Sequence, residues 1–284
     1  MKRILPAIVA AFITMSAFSQ DSTKQKAPDS ARHHKTADTI RIGGMIIIKS
    51  GDKTDSSKRH ISISGRPQRN KNANVQTNWL IVDLGFANYS DNTNYSNAAA
   101  SGFTGAGVGE EQLNLRTGKS VNVNLWLFMQ KMNITKHVLN LKYGLGLELN
   151  NYRFDDEQVQ FQKNPTQVVL NKDWKGFAKN KLAADYVTVP IMLNVNFTPG
   201  RRKGFGLSGG VSGGYLYSSR QKTKDGGDND KVHDDFNLRK WKLSYIGELS
   251  LGPVKLYGSY AMKSMFEKGL DQTPYNVGIR LSRF

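Results

Sequence analysis

The chain has 284 residues, a formal net charge of +17 and no cysteine. The missing cysteines exclude disulfide frameworks, thiolate metal sites, Cys nucleophiles and a lipid anchor on an N-terminal Cys. So large an excess of lysine and arginine suits either nucleic acid or an anionic membrane surface, and the first residues choose between them.

Met1, Lys2 and Arg3 precede an apolar run from Ile4 to Phe18, and Ala17-Phe18-Ser19 supplies small residues before Gln20. A basic start, a short apolar stretch and a small-residue site read as a signal peptide over residues 1–19, cleaved after Ser19. The run is too short for a permanent membrane-spanning helix. Export removes nucleic acid as a partner. Residues 20–76 follow as a tail with 12 Lys or Arg against 5 Asp or Glu. Such a segment buries too little apolar surface to offset chain ordering, so it is expected to be mostly disordered in the periplasm. Its apolar island, Met45-Ile46-Ile47-Ile48, can form one short strand. Asp21-Ser22-Thr23, Asp29-Ser30-Ala31 and Asp38-Thr39-Ile40 resemble sites that Bacteroidota O-glycosylate.

From 77 to 284 the pattern becomes alternation. Leu80, Val82, Leu84 and Phe86 open it, followed by Val121, Val123, Leu125, Leu127 and Met129. The clearest case is Leu139, Leu141, Tyr143, Leu145, Leu147 and Leu149, interleaved with Asn140, Lys142, Gly144, Gly146, Glu148 and Asn150. A helix would scatter both sets, whereas a strand puts one on each face. Val187 to Phe197, Phe205 to Tyr217, Trp241 to Leu251, Val254 to Met262 and Tyr275 to Phe284 complete eight strands. Their connections alternate: short at 131–136, 198–204 and 252–253, long at 90–118, 152–180, 219–237 and 264–273. Short turns at one end and long loops at the other predict an all-β fold, an eight-stranded antiparallel up-and-down transmembrane β-barrel behind a disordered N-terminal tail. The bulky apolar set should face lipid and the small or polar set the narrow interior. A soluble lipid-carrying periplasmic barrel, with the faces reversed, is the rival.

The segment Lys181-Leu182-Ala183-Ala184-Asp185-Tyr186-Val187-Thr188-Val189-Pro190-Ile191-Met192-Leu193 resembles the Leu-x-Tyr-Leu-x-Ile-Pro-Leu-Leu-Leu strand of the PorT-like outer-membrane β-barrel family of Bacteroidota. Gly204 to Gly210 and Gly213-Gly214-Tyr215-Leu216-Tyr217 resemble the glycine-rich strand that follows it there. The resemblance implies an outer-membrane barrel and carries no catalytic residue. It also implies a C-terminal aromatic, here Phe284, read by the barrel-insertion machinery. Val277, Ile279 and Leu281 stand in the opposite phase to Phe284, with Arg280 and Ser282 in phase, a mismatch that a bulge near Ser282 would resolve.

Lys142, Glu148, Lys242, Glu248, Lys255 and Arg280 are expected inside the barrel as a structural network of opposed charges, with Asp83 and Lys263 nearer the rims and Trp126, Phe128, Met192 and Tyr257 filling the bore. Among the loops, His233-Asp234-Asp235 is the one candidate for general-base chemistry, as a hydrolase at the outer rim. Asp225 to Asp230 lacks the spacing of a calcium loop and reads as a solvated turn. Ser101 to Gly109 reads as a flexible external loop, since no helix is predicted after it to make a phosphate cradle. His33, His34 and His60 read as solvated tail residues, and no cofactor or metal is expected. Lys131, Lys136, Arg201, Arg202 and Lys203 cluster at the short turns, where anionic lipid or lipopolysaccharide phosphates would attract them. The expectation is therefore a non-enzymatic scaffold with a closed lumen that presents its loops or tail to an envelope protein partner.

Overall fold

A computed structural model describes residues 38–42, 45–50, 60–63, 73–199, 204–252 and 254–281. The chain divides into Met1–Arg69 and Asn70–Phe284. In the first unit β1 (Asp38–Ile42), β2 (Met45–Ser50) and β3 (His60–Ile63) form an antiparallel sheet in that order. The apolar island forms a strand, and it is the central one of three, its two neighbours being unexpected from the sequence. The expected signal peptide over residues 1–19 lies outside the described residues.

The second unit is a ring of eight strands. They are β4 (Val75–Asp91), β5 (Val121–Thr135), β6 (Leu139–Arg153), β9 (Lys179–Asn196), β10 (Phe205–Asp225), β12 (Trp241–Leu251), β13 (Val254–Ala261) and β14 (Gln272–Leu281). Each pairs antiparallel with the next, and β14 returns to β4 through ten rungs from Gln272↔Asp91 to Leu281↔Val82. Closure leaves no open edge in the ring, as a membrane-spanning sheet requires when no water is available to its backbone. β7 (Val159–Gln162), β8 (Gln167–Leu170) and β11 (Asp228–His233) belong to the long connections, as does the short helix α1 (Tyr95–Ala100).

The alternation fixes which face is which. On β6 every polar or glycine position from Asn140 to Asn150 is buried, and every apolar partner is partly exposed. Leu84, Phe86, Leu127, Ile191, Leu193, Leu207, Leu243, Val277 and Ile279 all face outward and are exposed. A soluble barrel buries this set, so the outward apolar belt removes that rival. Aromatic side chains bound the belt, with Trp79, Phe197 and Phe205 at the turn end and Tyr215, Tyr217 and Trp241 at the loop end, all exposed. Phe205 and Tyr215 are separated by ~34 Å of strand, which a tilt of about 40° reduces to ~26 Å along the membrane normal, close to the ~25 Å of a transmembrane barrel.

Two local devices adjust the wall. At Leu127 the register of β5 against β6 shifts, Trp126 pairing with Gly146 and Phe128 with Leu145. The inserted residue turns Leu127 and Phe128 both outward. Phe128 therefore does not fill the bore: it packs against Trp79 in the turn-end girdle, ring centroids 5.9 Å apart. Opposite it, Leu80 takes φ 52° and repeats the phase change on β4. Pro190 sits in an interior strand, where a missing N–H normally breaks the ladder. The β6–β9 pairing skips it, running from Tyr143↔Ile191 to Gly146↔Thr188.

Ile191 lies near the middle of the belt. Replacing it with Arg should lower the unfolding free energy of the barrel in vesicles by about 2–4 kcal/mol. Substitution of the inward neighbour Met192 by Leu should change it by less than ~1.5 kcal/mol, and denaturant titration followed by tryptophan fluorescence measures both.

Candidate functional site

The interior is built from residues spaced by two on each strand, so eight strands converge their polar rows on one axis. Lys142, Glu148, Lys242, Glu248, Lys255 and Arg280 are all buried there. Arg280 on β14 donates from Nε and Nη2 to the two oxygens of Asp83 on β4, each at 2.8 Å, and from Nη1 to Glu248 Oε2 on β12 at 2.6 Å. Lys142 on β6 donates to Glu248 Oε1 at 2.5 Å and to Ser208 Oγ on β10 at 3.2 Å. Higher in the bore Lys242 pairs with Glu148, which also accepts from Asn150 and Asn276 at 3.1 Å. Asp83 is fully buried at the centre of this array and not near a rim, because it faces Arg280 directly across the β14–β4 seam. Lys263 is exposed at the loop end.

Neutral donors satisfy remaining lone pairs of the acids. Trp126 Nε1 and Asn124 Nδ2 donate to Asp83 at 2.7 and 3.2 Å, and Tyr257 O–H donates to Asn122 at 2.5 Å. Arg280 also lies 5.4 Å from the Trp126 ring centroid, within cation–π range. Room for Tyr257 comes from the facing pair Gly85 and Gly278, where a Cβ on Gly85 would stand 2.5 Å from the Tyr257 hydroxyl. The cavity among these groups, lined by Trp126, Glu148, Met192, Tyr257 and Arg280, measures about 30 Å³. That is the space of about one water molecule.

Over the loop end lies a second, apolar layer. Phe103, Leu113, Phe154, Phe161, Phe236 and Phe266, drawn from all four long connections and the strand ends beneath them, are buried in one cluster with Tyr152 and Tyr186. Phe161 stacks on Phe266 at 6.0 Å and meets Phe236 edge-on at 5.8 Å. The Ser101–Gly109 segment is therefore part of a packed cap and not a free loop. Phe103 and Val108 are buried, and Gly105 N–H donates to the Val168 carbonyl at 2.7 Å. Helix α1 precedes this segment, capped by Asn94, whose side chain accepts from Asn97 N–H. Burial and the adjacent Asp91 raise the Tyr95 phenol above its ordinary value, so it stays a donor to Asp91 at 2.7 Å.

The 219–237 connection is mostly strand. β10 and β11 form a hairpin from Arg220↔His233 to Asp225↔Asp228, and Gly226, at φ 50°, makes its turn. The Asp225–Asp230 run is that turn and the hairpin's tip. His233 is exposed at the end of β11, while Asp234 and Asp235 accept backbone N–H groups from Asp235 and Asn237. Those bonds turn the carboxylates toward their own loop. Phe284, Arg201, Arg202 and Lys203 lie outside the described residues, and so do His33 and His34. Val277, Ile279 and Leu281 all face outward, and Arg280 faces inward.

A family model described as an outer membrane protein beta-barrel domain matches residues 68–267. No curated protein matches the chain.

Asp83→Ala should leave Arg280 charged and half-paired in a dry interior and destabilise the barrel by about 3–5 kcal/mol. The double variant Asp83→Ala with Arg280→Met should be less damaged than the sum of the single variants. Equilibrium unfolding of the four proteins gives the coupling directly.

Proposed function

Because the chain belongs to the outer membrane β-barrel family, we propose that it is a closed, non-enzymatic scaffold of the outer membrane that presents a rigid external cap to an envelope partner. The observation that carries this reading is the double filling of the bore, a charge network through the membrane zone and an apolar plug above it. A conducting pore of this strand number would have to dispense with both. Binding residues tend to sit on loops held by a rigid frame, and here the frame extends into the loops themselves. Within the family, the strand around Pro190 and the glycine-rich strand after it favour a PorT-like relationship of the Bacteroidota kind. Export by a signal peptide cleaved after Ser19 completes the reading, with the basic tail in the periplasm available to a partner there. Insertion would depend on the barrel-insertion machinery recognising the C-terminal segment up to Phe284.

A hydrolase at the outer rim is the other class. Its candidate base, His233, stands on an exposed strand end while its acidic neighbours cap their own loop, so the scaffold reading is preferred. Purified protein carrying His233→Ala should keep every activity of the parent, and loss of a hydrolytic activity would overturn the scaffold assignment.

Planar-bilayer recording of the folded barrel should give no steady single-channel conductance, with or without residues 20–76. The double variant Glu148→Gln, Glu248→Gln should unfold at lower denaturant, by several kcal/mol, since Lys142, Lys242 and Arg280 lose charged partners, and it should still pass no current.

A further inference from the structure

The barrel wall is interrupted at its loop end along the β12–β13 seam. Pairing of β12 with β13 climbs to Ser244↔Ala261, and Met262 N–H still donates to the Leu243 carbonyl at 2.8 Å. It resumes only where Arg239 N–H donates to the Met265 carbonyl at 2.7 Å and Leu238 bridges Phe266. Among the described residues no main-chain hydrogen bond joins Lys240–Lys242 to Lys263–Ser264. The gap opens a cleft of about 310 Å³, floored by Tyr186 and Lys242.

Its chemistry is divided. Arg239, Lys240 and Lys263 line it against a single carboxylate, Glu267, and among the described residues none of the three cations forms an ion pair. The floor is already neutralised, because Lys242 pairs with Glu148 inside the bore. Arg239 is fixed in place by donating from Nε and Nη2 to the carbonyls of Ser264 and Phe266 at 3.1 and 3.2 Å, which leaves its other N–H groups for a ligand. The membrane side of the cleft is Trp241, Leu243 and Met262, all exposed on the lipid face. Trp241 packs edge-on to Tyr215 at 4.9 Å in the loop-end girdle, which sets the cleft at the level of lipid headgroups.

We propose that this cleft is a binding site for an outer-leaflet amphiphile with a phosphorylated headgroup, its phosphate among Arg239, Lys240 and Lys263 and its chains along Trp241, Leu243 and Met262. The site rests on the outer-membrane placement of the barrel and is independent of whether the bore conducts. Cations at headgroup depth attract lipid phosphate by about 1 kcal/mol each, and three of them against one carboxylate, beside an apolar strip, favour an amphiphile over a free ion. Lys240 and Lys263 are exposed, so replacing them does not touch the fold.

The test uses the full-length folded protein in phosphatidylcholine nanodiscs doped with bisphosphorylated lipid A or with its dephosphorylated counterpart, and native mass spectrometry reads the lipid retained after release. The parent should keep the phosphorylated lipid in preference to the dephosphorylated one. Lys240→Gln with Lys263→Gln should weaken retention roughly 25-fold, at about fivefold per lysine, with the heat-shifted gel migration of the folded barrel unchanged. Lys172→Gln with Lys175→Gln, in the cap, should have no effect. Equal loss in that control, equal retention of the dephosphorylated lipid, or displacement by millimolar inorganic phosphate would overturn the assignment.

Discussion

Arg280 holds together parts of the chain that are far apart in sequence. It lies on the last barrel strand, reaches Asp83 on the first and Glu248 on β12, and through Glu248 connects to Lys142 on β6. The β14–β4 seam is the closure of the ring, and the guanidinium sits across it with both carboxylate oxygens of Asp83 in a bidentate grip. In a narrow dry bore such a group is tolerated only when its partners are complete, since the desolvation of each ion is otherwise uncompensated. That demand makes the network specific: Asp83 and Arg280 pair directly only when Leu281 meets Val82 and Gln272 meets Asp91. A strand slip by one residue would send the polar row toward lipid.

The cap depends on the same geometry in another way. Strands of equal length would leave the loops to hang from a level rim, but β9, β10 and β6 continue past the girdle, so Tyr152, Leu182 and Tyr186 provide an apolar floor. Phe161 and Val168 arrive on the β7–β8 hairpin, Phe236 and Leu238 from below β11, and Phe266 from the last connection. Gln221 ties the layers, its Oε1 accepting from Phe161 N–H at 2.9 Å and its Nε2 donating to the Val159 carbonyl at 2.8 Å. Bore and cap are thus two packed layers of opposite character, one ionic and one aromatic, stacked on a common wall.

The wall was the legible part of the sequence. Alternation with period two needs no tertiary information, and Leu139 to Leu149 reads the same in isolation as in the barrel. The charges of the bore were legible for the same reason, as members of the polar phase. The depth of Asp83 is not legible, because it depends on the β14–β4 register, which no local pattern encodes. Alternation alone puts Phe128 inside, and the bulge at Leu127 that turns it outward leaves no mark in the pattern. The cap was missed altogether: its phenylalanines are scattered singly through polar stretches such as Asn151 to Asn180, and they become a cluster only when four separate connections meet. Asn94 ahead of an alanine run was a local clue to α1, although six residues are too few for periodicity to declare a helix.

The extension of β9 and β10 has a consequence for reach. From Tyr215 at the girdle to Asp225 at the hairpin tip the strand rises ~34 Å along its own axis, or ~26 Å above the headgroup plane at the barrel's tilt. The hairpin therefore stands about as tall outside the membrane as the barrel is deep within it. An approaching macromolecule meets Asp228, Asn229, Asp230 and Lys231 at the tip long before it comes near the wall, and β11 offers a free strand edge at that height. First contact at the surface is thereby set by a mast of three strands, β9, β10 and β11, whose foot is anchored in the aromatic cap.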